Sequence, residues 1–505
     1  MANPKEKYDV IVIGSGLGGL ESALILAKEG LSVCVLEKNK QVGGNLQTFS
    51  RDKVIFDTGV HYIGALDKGQ NLHQIFHYLG IMDDLKISRM DMEAFDVVGL
   101  QDQKDHPLAQ SYELFKQSLI DQFPKEKDGI QKYCEHVIAA CDSFPLYRLI
   151  PEKENVFENK YVTSNARAVI QSLTTDVTLQ NVLAGNNFLY EGIGSSTPFF
   201  VHALVVNSYI ESSWRMINGG SQISLLLQKQ LRNNGAEVYI KKEVTHILSQ
   251  REVKGVKLAS GEQIRAKYVI SNVHPSMTLD LIDDKKIKPA YRNRIKGLDN
   301  TLSAFSLHLV LNDDKIPYFN CNYYDFHCED VWNSTHTKKN WPGITMISTS
   351  PSKEMQKYAD NISVMTYMHA DEFKNWKGSF NTTLKSEDRG DEYESLKEEK
   401  METIIQKLER RFPEIRAAIK SKHASTPLTY RDYIASADGS MYGVRRDYRY
   451  PERSFIGPKT SIKNLFLTGQ NLSHLHGILG VSIAAISTCS EILGMEYLIK
   501  NVKQP

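Results

Sequence analysis

Val10-Ile11-Val12-Ile13-Gly14-Ser15-Gly16-Leu17-Gly18-Gly19 opens the most informative stretch of the chain. The apolar run Val10 to Ile13 reads as a buried strand, and the glycines follow it at once. A helical pattern then runs from Leu20 to Glu29 and stops at Gly30. A second apolar run, Leu31 to Leu36, ends on Glu37. Strand, glycine turn, helix, strand and acid stand in the order a dinucleotide-binding βαβ unit needs. Gly14 permits the tight turn, Gly16 lets a pyrophosphate approach the backbone, and Gly19 lets the helix pack closely on the strand. The first helical turn aims free N–H groups and the positive end of the helix dipole at the phosphates. Glu37, about 20 residues past the glycines, is placed to accept from a ribose hydroxyl, and its charge disfavours a 2′-phosphate there.

Around that unit, 505 residues with 41% hydrophobic content suffice for a large core, and the length suggests about two to four domains. A formal net charge of +1 with 24% charged residues leaves no electrostatic footprint for nucleic acid. The first strand starts too close to Met1 for a signal peptide, and no apolar run reaches the roughly 18 residues of a transmembrane helix. None of the six cysteines sits in a CxxC spacing, which argues against a redox dithiol and against a zinc knuckle. Cys321, His327 and Cys328 lack a fourth ligand at metal spacing, so no metal site is expected. Reduced thiols and the missing targeting segment point to a cytoplasmic protein.

Further along, Leu72 to Leu79 is helical and ends at Gly80. From about residue 91 to 214 long helical stretches take over, such as Ser111 to Phe123 and Asp128 to Ala140. Gly192-Ile193-Gly194 lies between apolar helical segments with no strand leading in, so it reads as a turn and offers no second nucleotide loop. The nucleotide pattern resumes at Ile217-Asn218-Gly219-Gly220-Ser221. A helix from Gln222 to Arg232 follows, capped at Asn234-Gly235. Strands are expected at Ala236 to Ile240, Val244 to Leu248, Val253 to Leu258 and Tyr268 to Ser271. The segment from about 276 to 424 departs again, with a strand at Ser303 to Leu311 and a charged loop and helix start at Lys385 to Lys400. The last block holds a strand, Ile462 to Leu467, then Thr468-Gly469-Gln470, His474-Leu475-His476-Gly477, and an apolar helix, Val481 to Leu493. Strand, glycine turn and helix N-terminus again make an anion-accepting geometry.

The expected fold is α/β: a Rossmann-like domain from 1–90, 215–275 and 425–505, with an α+β substrate domain from 91–214 and 276–424 inserted into it.

Gly43-Gly44, Phe56-Asp57-Thr58-Gly59-Val60-His61-Tyr62-Ile63-Gly64, Ser195-Ser196-Thr197-Pro198-Phe199-Phe200 and Asn464-Leu465-Phe466-Leu467-Thr468-Gly469-Gln470 carry a resemblance. In them the chain resembles the retinol saturase, carotenoid isomerase and phytoene desaturase family of FAD-dependent oxidoreductases, whose architecture is that of the amine oxidases and the glutathione-reductase-type FAD domain. The likeness runs over most of the chain. It departs at Ile217, where the family often has Pro. Gln470 replaces the Asp that many relatives use on the ribityl chain.

The resemblance implies a non-covalent FAD held by Gly14, Ser15, Gly16, Leu17, Gly18, Gly19, Glu37, Lys38, Gly43, Gly44, Asp57, Gly59, Val60, His61, Val244, Gly469, Gln470, Gly477 and Ile478. In that family the residue at Val244 contacts the adenine end through its backbone. NAD(P)H would be an external donor, with no site of its own. The substrate implied is a hydrophobic polyene or other isoprenoid, with Phe199, Phe200 and Tyr209 as candidate tunnel walls. Saturation, desaturation and isomerisation of a C=C bond all suit such a site, and so does a flavin-free prenyl-lipid carrier on the same fold. His61, His474, His476 and Tyr442 are the candidate proton donors. A lipid-dissolved substrate suggests peripheral docking on the inner face of a membrane, with Cys141 to Ile150 as a candidate patch; helix packing is the competing reading of that segment.

Overall fold

Residues 3–101, 104–151, 156–283, 287–335, 340–472 and 475–504 are described by the computed structural model. Two seven-stranded sheets carry the architecture. The first runs Glu237–Tyr239, Val33–Leu36, Lys7–Ile13 and Gln263–Ser271, all parallel. Val253–Leu258 and Val244–Ser249 continue it antiparallel, and Leu465–Leu467 pairs parallel with the far half of Gln263–Ser271. Alternation along Lys7–Ile13 divides its side chains between two cores. Val10 and Val12 join the helices, whereas Ile11 and Ile13 join Val256, Ile264 and Leu467 on the opposite face. A strand buried on both faces needs the unbroken apolar run seen in the sequence.

Leu17–Lys28 packs between this sheet and the helices Ser221–Asn233 and Gly477–Leu493, which explains why all of it but Lys28 is buried. Gly19 is what allows this: a Cβ there would stand 2.2 Å from the Gly14 carbonyl oxygen.

The second sheet is mixed, in the order Ile419–Ser425, Ser303–Leu311, Asn361–Met368, Ile344–Ser348, Asn322–Phe326, Asp96–Gly99 and Asp105–Leu108. One face, with Phe305, Leu307, Ile347 and Val364, buries Ile404, Ile405 and Leu408 of the helix Gly390–Leu408. The other turns Met346, Met365 and Tyr367 towards the large common core.

Several expected elements change length. The expected strand Tyr268 to Ser271 reaches back to Gln263, where it completes the hairpin with Val253–Leu258. The expected strand Ile462 to Leu467 shrinks to three residues, because Asn464 takes a left-handed backbone (φ 65°) that breaks the run. Gly192-Ile193-Gly194 is the turn between helical segments that its flanks suggest. The candidate membrane patch fails as a surface: Phe144, Leu146 and Tyr147 are buried, with Phe144 stacked on Phe200 at 5.1 Å. Among the described residues no helix is long and apolar enough to cross a membrane.

Candidate active site

One cavity of about 460 Å³ runs from the carboxyl ends of the parallel strands to the inner face of the second sheet. Ligands of open α/β sheets bind at that end of the strands. The cavity wall includes Gly14, Ser15, Gly16, Leu17, Gly18, Glu37, Lys38, Gly43, Gly44, Gly59, Val60, His61, Val244, Gly469, Gln470, Tyr442, His476, Gly477 and Ile478. These stretches are brought together from distant parts of the chain.

Two expected cofactor residues stand behind the wall. Gly19 acts by packing, as described above. Asp57 accepts from the Gly220 amide at 2.6 Å and from the Ser350 hydroxyl at 3.0 Å, so it ties the turn before Ser221–Asn233 to the second sheet. Burial pushes its carboxyl up to about 6, against the pull of those donors and of Arg215.

At the glycine end, Glu37 accepts from the Ser15 amide (3.0 Å) and hydroxyl (2.6 Å) and from the Asn39 amide (2.8 Å). The acid thereby fixes the turn whose amides it borders. Asn272, which the sequence reading missed, is the hub of the cradle. A Cβ on Gly16, Gly18 or Gly469 would approach its side chain to 2.7, 3.0 and 2.6 Å. Its signal was positional, since it directly follows the parallel strand Gln263–Ser271. At the start of Gly477–Leu493 no side chain caps the helix, and a Cβ on Gly477 would meet nothing within 4 Å.

Charged side chains on the wall (Glu37, Lys38, Lys242, Glu243 and Asp280) belong to segments at this strand-end region. The rest of the wall, the inner chamber, carries Phe188, Leu189, Val205, Met346, Met365 and Leu479 with a set of tyrosines and histidines, and among the described residues no carboxylate, lysine or arginine. Phe199 and Phe200, expected as tunnel walls, are buried in the helical core, whereas Tyr209 does line the chamber.

Of the four candidate proton donors, three already spend their hydrogens. His61 Nε2 lies 2.8 Å from the Met365 sulfur and Nδ1 lies 3.4 Å from the Ser348 hydroxyl. Sulfur here can only accept, so Nε2 carries the proton. His476 Nε2 donates to the Leu189 carbonyl (2.8 Å), and the Tyr442 hydroxyl donates to the Phe188 carbonyl (2.9 Å). The two rings meet at 4.6 Å, so together they clamp the Phe188–Leu189 backbone. His474 lies outside the described residues. Burial lowers both His61 and His476 to about 4, helped at His61 by Arg215. Their imidazole nitrogen NMR signals are therefore expected to stay in the neutral position down to about pH 5. A midpoint near the ordinary 6.5 for either would contradict this environment.

A glycine cradle at the ends of parallel strands, opening into an uncharged chamber, defines a flavin-dependent oxidoreductase site of the two-sheet kind. Sequence comparison agrees over nearly the whole chain. This protein belongs to the flavin containing amine oxidoreductase family, whose model matches residues 17–493.

Among relatives it is 26% identical to the all-trans-retinol 13,14-reductase of Danio rerio, over 97% of this chain and 86% of that one. It is also 26% identical to prolycopene isomerase 1 of an Oncidium hybrid cultivar, over 97% and 85%. Its fold matches a putrescine oxidase variant (TM-score 0.64, 14% identity, 97% of this chain and 99% of that one). An oxidoreductase from Methanosarcina mazei matches similarly (TM-score 0.62, 16% identity, 95% and 99%). Membership of this flavin-containing oxidoreductase family, with reductase and isomerase relatives, makes the protein an enzyme and speaks against the flavin-free carrier reading.

Proposed function

We propose that this protein binds FAD non-covalently and uses it to saturate a C=C bond of a retinoid- or carotenoid-like polyene, with electrons from an external donor such as NAD(P)H. The observation that carries the reading is the cavity's division: a glycine-cradled polar end, and an inner chamber without a single carboxylate, lysine or arginine among the described residues. A cationic amine would leave its charge unpaired in that chamber, whereas a polyene has only apolar surface to bury. The relatives named for a retinol reductase and a prolycopene isomerase support the same substrate class.

Gly16, Leu17 and Gly18 would present their amides to the pyrophosphate, Glu37 would accept from the ribose, and Gln470, Gly477 and Ile478 would face the ribityl and ring end. Bound there, flavin supplies hydride chemistry. The chain's own part is to hold the polyene flat against the ring, exclude water and place a proton donor opposite. The discontinuous division proposed from the sequence, 1–90, 215–275 and 425–505 against 91–214 and 276–424, assigns the cradle to one domain and divides the chamber between the two, with Phe188, Leu189, Val205, Tyr209, Met346 and Met365 coming from the second. The prolycopene isomerase relatives keep cis–trans isomerisation as the second reading.

The purified protein should be yellow. Reduced anaerobically, it should bleach the polyene absorbance of retinol or of one member of a carotenoid panel, with reoxidation of its flavin. A colourless protein that takes up no added FAD overturns the reading. A shifted polyene spectrum without flavin reoxidation selects isomerisation instead.

A further inference from the structure

We propose that Tyr209 is the group that delivers the proton to the substrate double bond, an assignment that rests on the polyene reduction proposed above. The chamber needs a donor whose hydrogen is free, and the other described candidates there are committed; Tyr433, whose carbonyl accepts from Asn39 at 2.9 Å, belongs to the strand-end region beside Glu37. His61, Tyr442 and His476 are bonded as described. The Tyr430 hydroxyl pairs with Ser306 at 2.6 Å, and Ser208 donates to the Val205 carbonyl at 2.8 Å. The Ser440 oxygen is sealed from the cavity. Tyr62 gives its hydrogen to Asp96 at 2.9 Å and is left to accept from Tyr324 at 2.7 Å. Tyr209 lines the chamber with part of its surface open, and among the described residues nothing hydrogen-bonds its hydroxyl.

The ring is nonetheless held. It stacks on Tyr62 at 4.2 Å with 26° between planes. Tyr62 is pinned by the buried Asp96, itself fixed by Asn322 (2.8 Å) and Asn186 (2.6 Å). A positioned ring with an uncommitted hydroxyl is what general-acid catalysis asks of a tyrosine. Tyr62 is thus a positioning residue and Tyr209 a catalytic one. Burial, then the Asp96 carboxylate, raises the phenol's pKa, so Tyr209 keeps its proton until the substrate takes it.

One carbon of the double bond gains a hydride, whose electron pair comes from the reduced flavin. The π pair forms a second C–H bond with the Tyr209 proton on the adjacent carbon. The phenol O–H bond breaks, and the phenolate recovers a proton from water as product leaves.

The test is Tyr209→Phe in the flavin-loaded protein. Because no described residue bonds the hydroxyl, the thermal midpoint and flavin content should match wild type, and polyene binding, read by quenching of protein fluorescence, should stay within about twofold. Turnover should fall by about 10²–10⁴, and the solvent deuterium isotope effect of the wild type should vanish from the residual rate. Tyr62→Phe, which keeps the stacked ring but loses the Asp96 bond, should show a smaller loss with the isotope effect retained. Wild-type turnover in Tyr209→Phe overturns the assignment, as does a loss of the isotope effect in His474→Asn but not in Tyr209→Phe. A wild-type protein that binds polyenes without consuming any overturns the reductase reading and this assignment together.

Discussion

Gly19→Val should yield a protein with a clearly lowered unfolding midpoint and little bound flavin. The Cβ of any residue at this position falls 2.2 Å from the Gly14 carbonyl oxygen and 3.2 Å from the Asn272 side chain, and neither can give way cheaply. Gly14 is locked in a left-handed turn (φ 90°), and Asn272 is tied by its amide to the Ile13 carbonyl at 2.9 Å. In an isolated helix, replacing glycine by alanine would gain about 1 kcal/mol. Here overpacking, typically about 1–3 kcal/mol, reverses the sign even for Gly19→Ala, and valine adds two further methyl groups. Relief has to come from moving the start of Leu17–Lys28 off the strand, which carries its first-turn amides away from the cradle. Flavin retention should therefore fall along with stability. Gly378→Ala is the control, since a Cβ there meets nothing within 4 Å. Equal denaturation midpoints and flavin-to-protein ratios for Gly19→Ala, Gly378→Ala and wild type would show that the close packing has no such role.

That the cradle was readable from the sequence follows from its chemistry. Gly14, Gly16, Gly43 and Gly469 are required by local backbone geometry or by close approach, and both leave the residue type as their trace. The same holds for buried parallel strands, whose unbroken apolar runs declared themselves at Val10 to Ile13 and at Leu31 to Leu36. Hydrogen-bond commitments leave no such trace. Whether His476 or Tyr442 has a hydrogen to give depends on the carbonyls of Leu189 and Phe188, more than 250 residues away in the chain. The position of Asp57 behind the wall was hidden for the same reason. Its partner amide, Gly220, is 163 residues downstream, and nothing near Asp57 says that its carboxylate faces a turn and not a cofactor. Phe199 and Phe200 looked like tunnel walls because an apolar helix buried on all sides reads the same as one lining a cavity.

Glu21→Gln should stabilise the protein, and by more as pH rises. Glu21 lies on the buried helix Leu17–Lys28, fully enclosed against Gly477–Leu493; Oε1 accepts from the Ser482 hydroxyl at 2.8 Å and Oε2 has no partner. Burial pushes its carboxyl up to about 8 from an ordinary 4.5, the Ser482 bond offsetting only part of this. The folded state therefore holds a proton that the unfolded chain releases. The stability associated with this group is complete below about pH 4.5 and is lost progressively as pH rises to about 8. At about 1.4 kcal/mol per pH unit, that loss reaches about 3 kcal/mol by pH 7. Glutamine keeps the acceptor for Ser482, fills the same volume and has no charge to hold off, so it should remove the slope. Urea midpoints of the two proteins should coincide near pH 5, separate by pH 7 and stop diverging above about pH 8.5. A constant gap across that range, or a variant less stable at pH 8.5, would mean that Glu21 ionises freely or finds a partner for Oε2. The enclosed interface between the two helices would then have to be more polar than its packing shows.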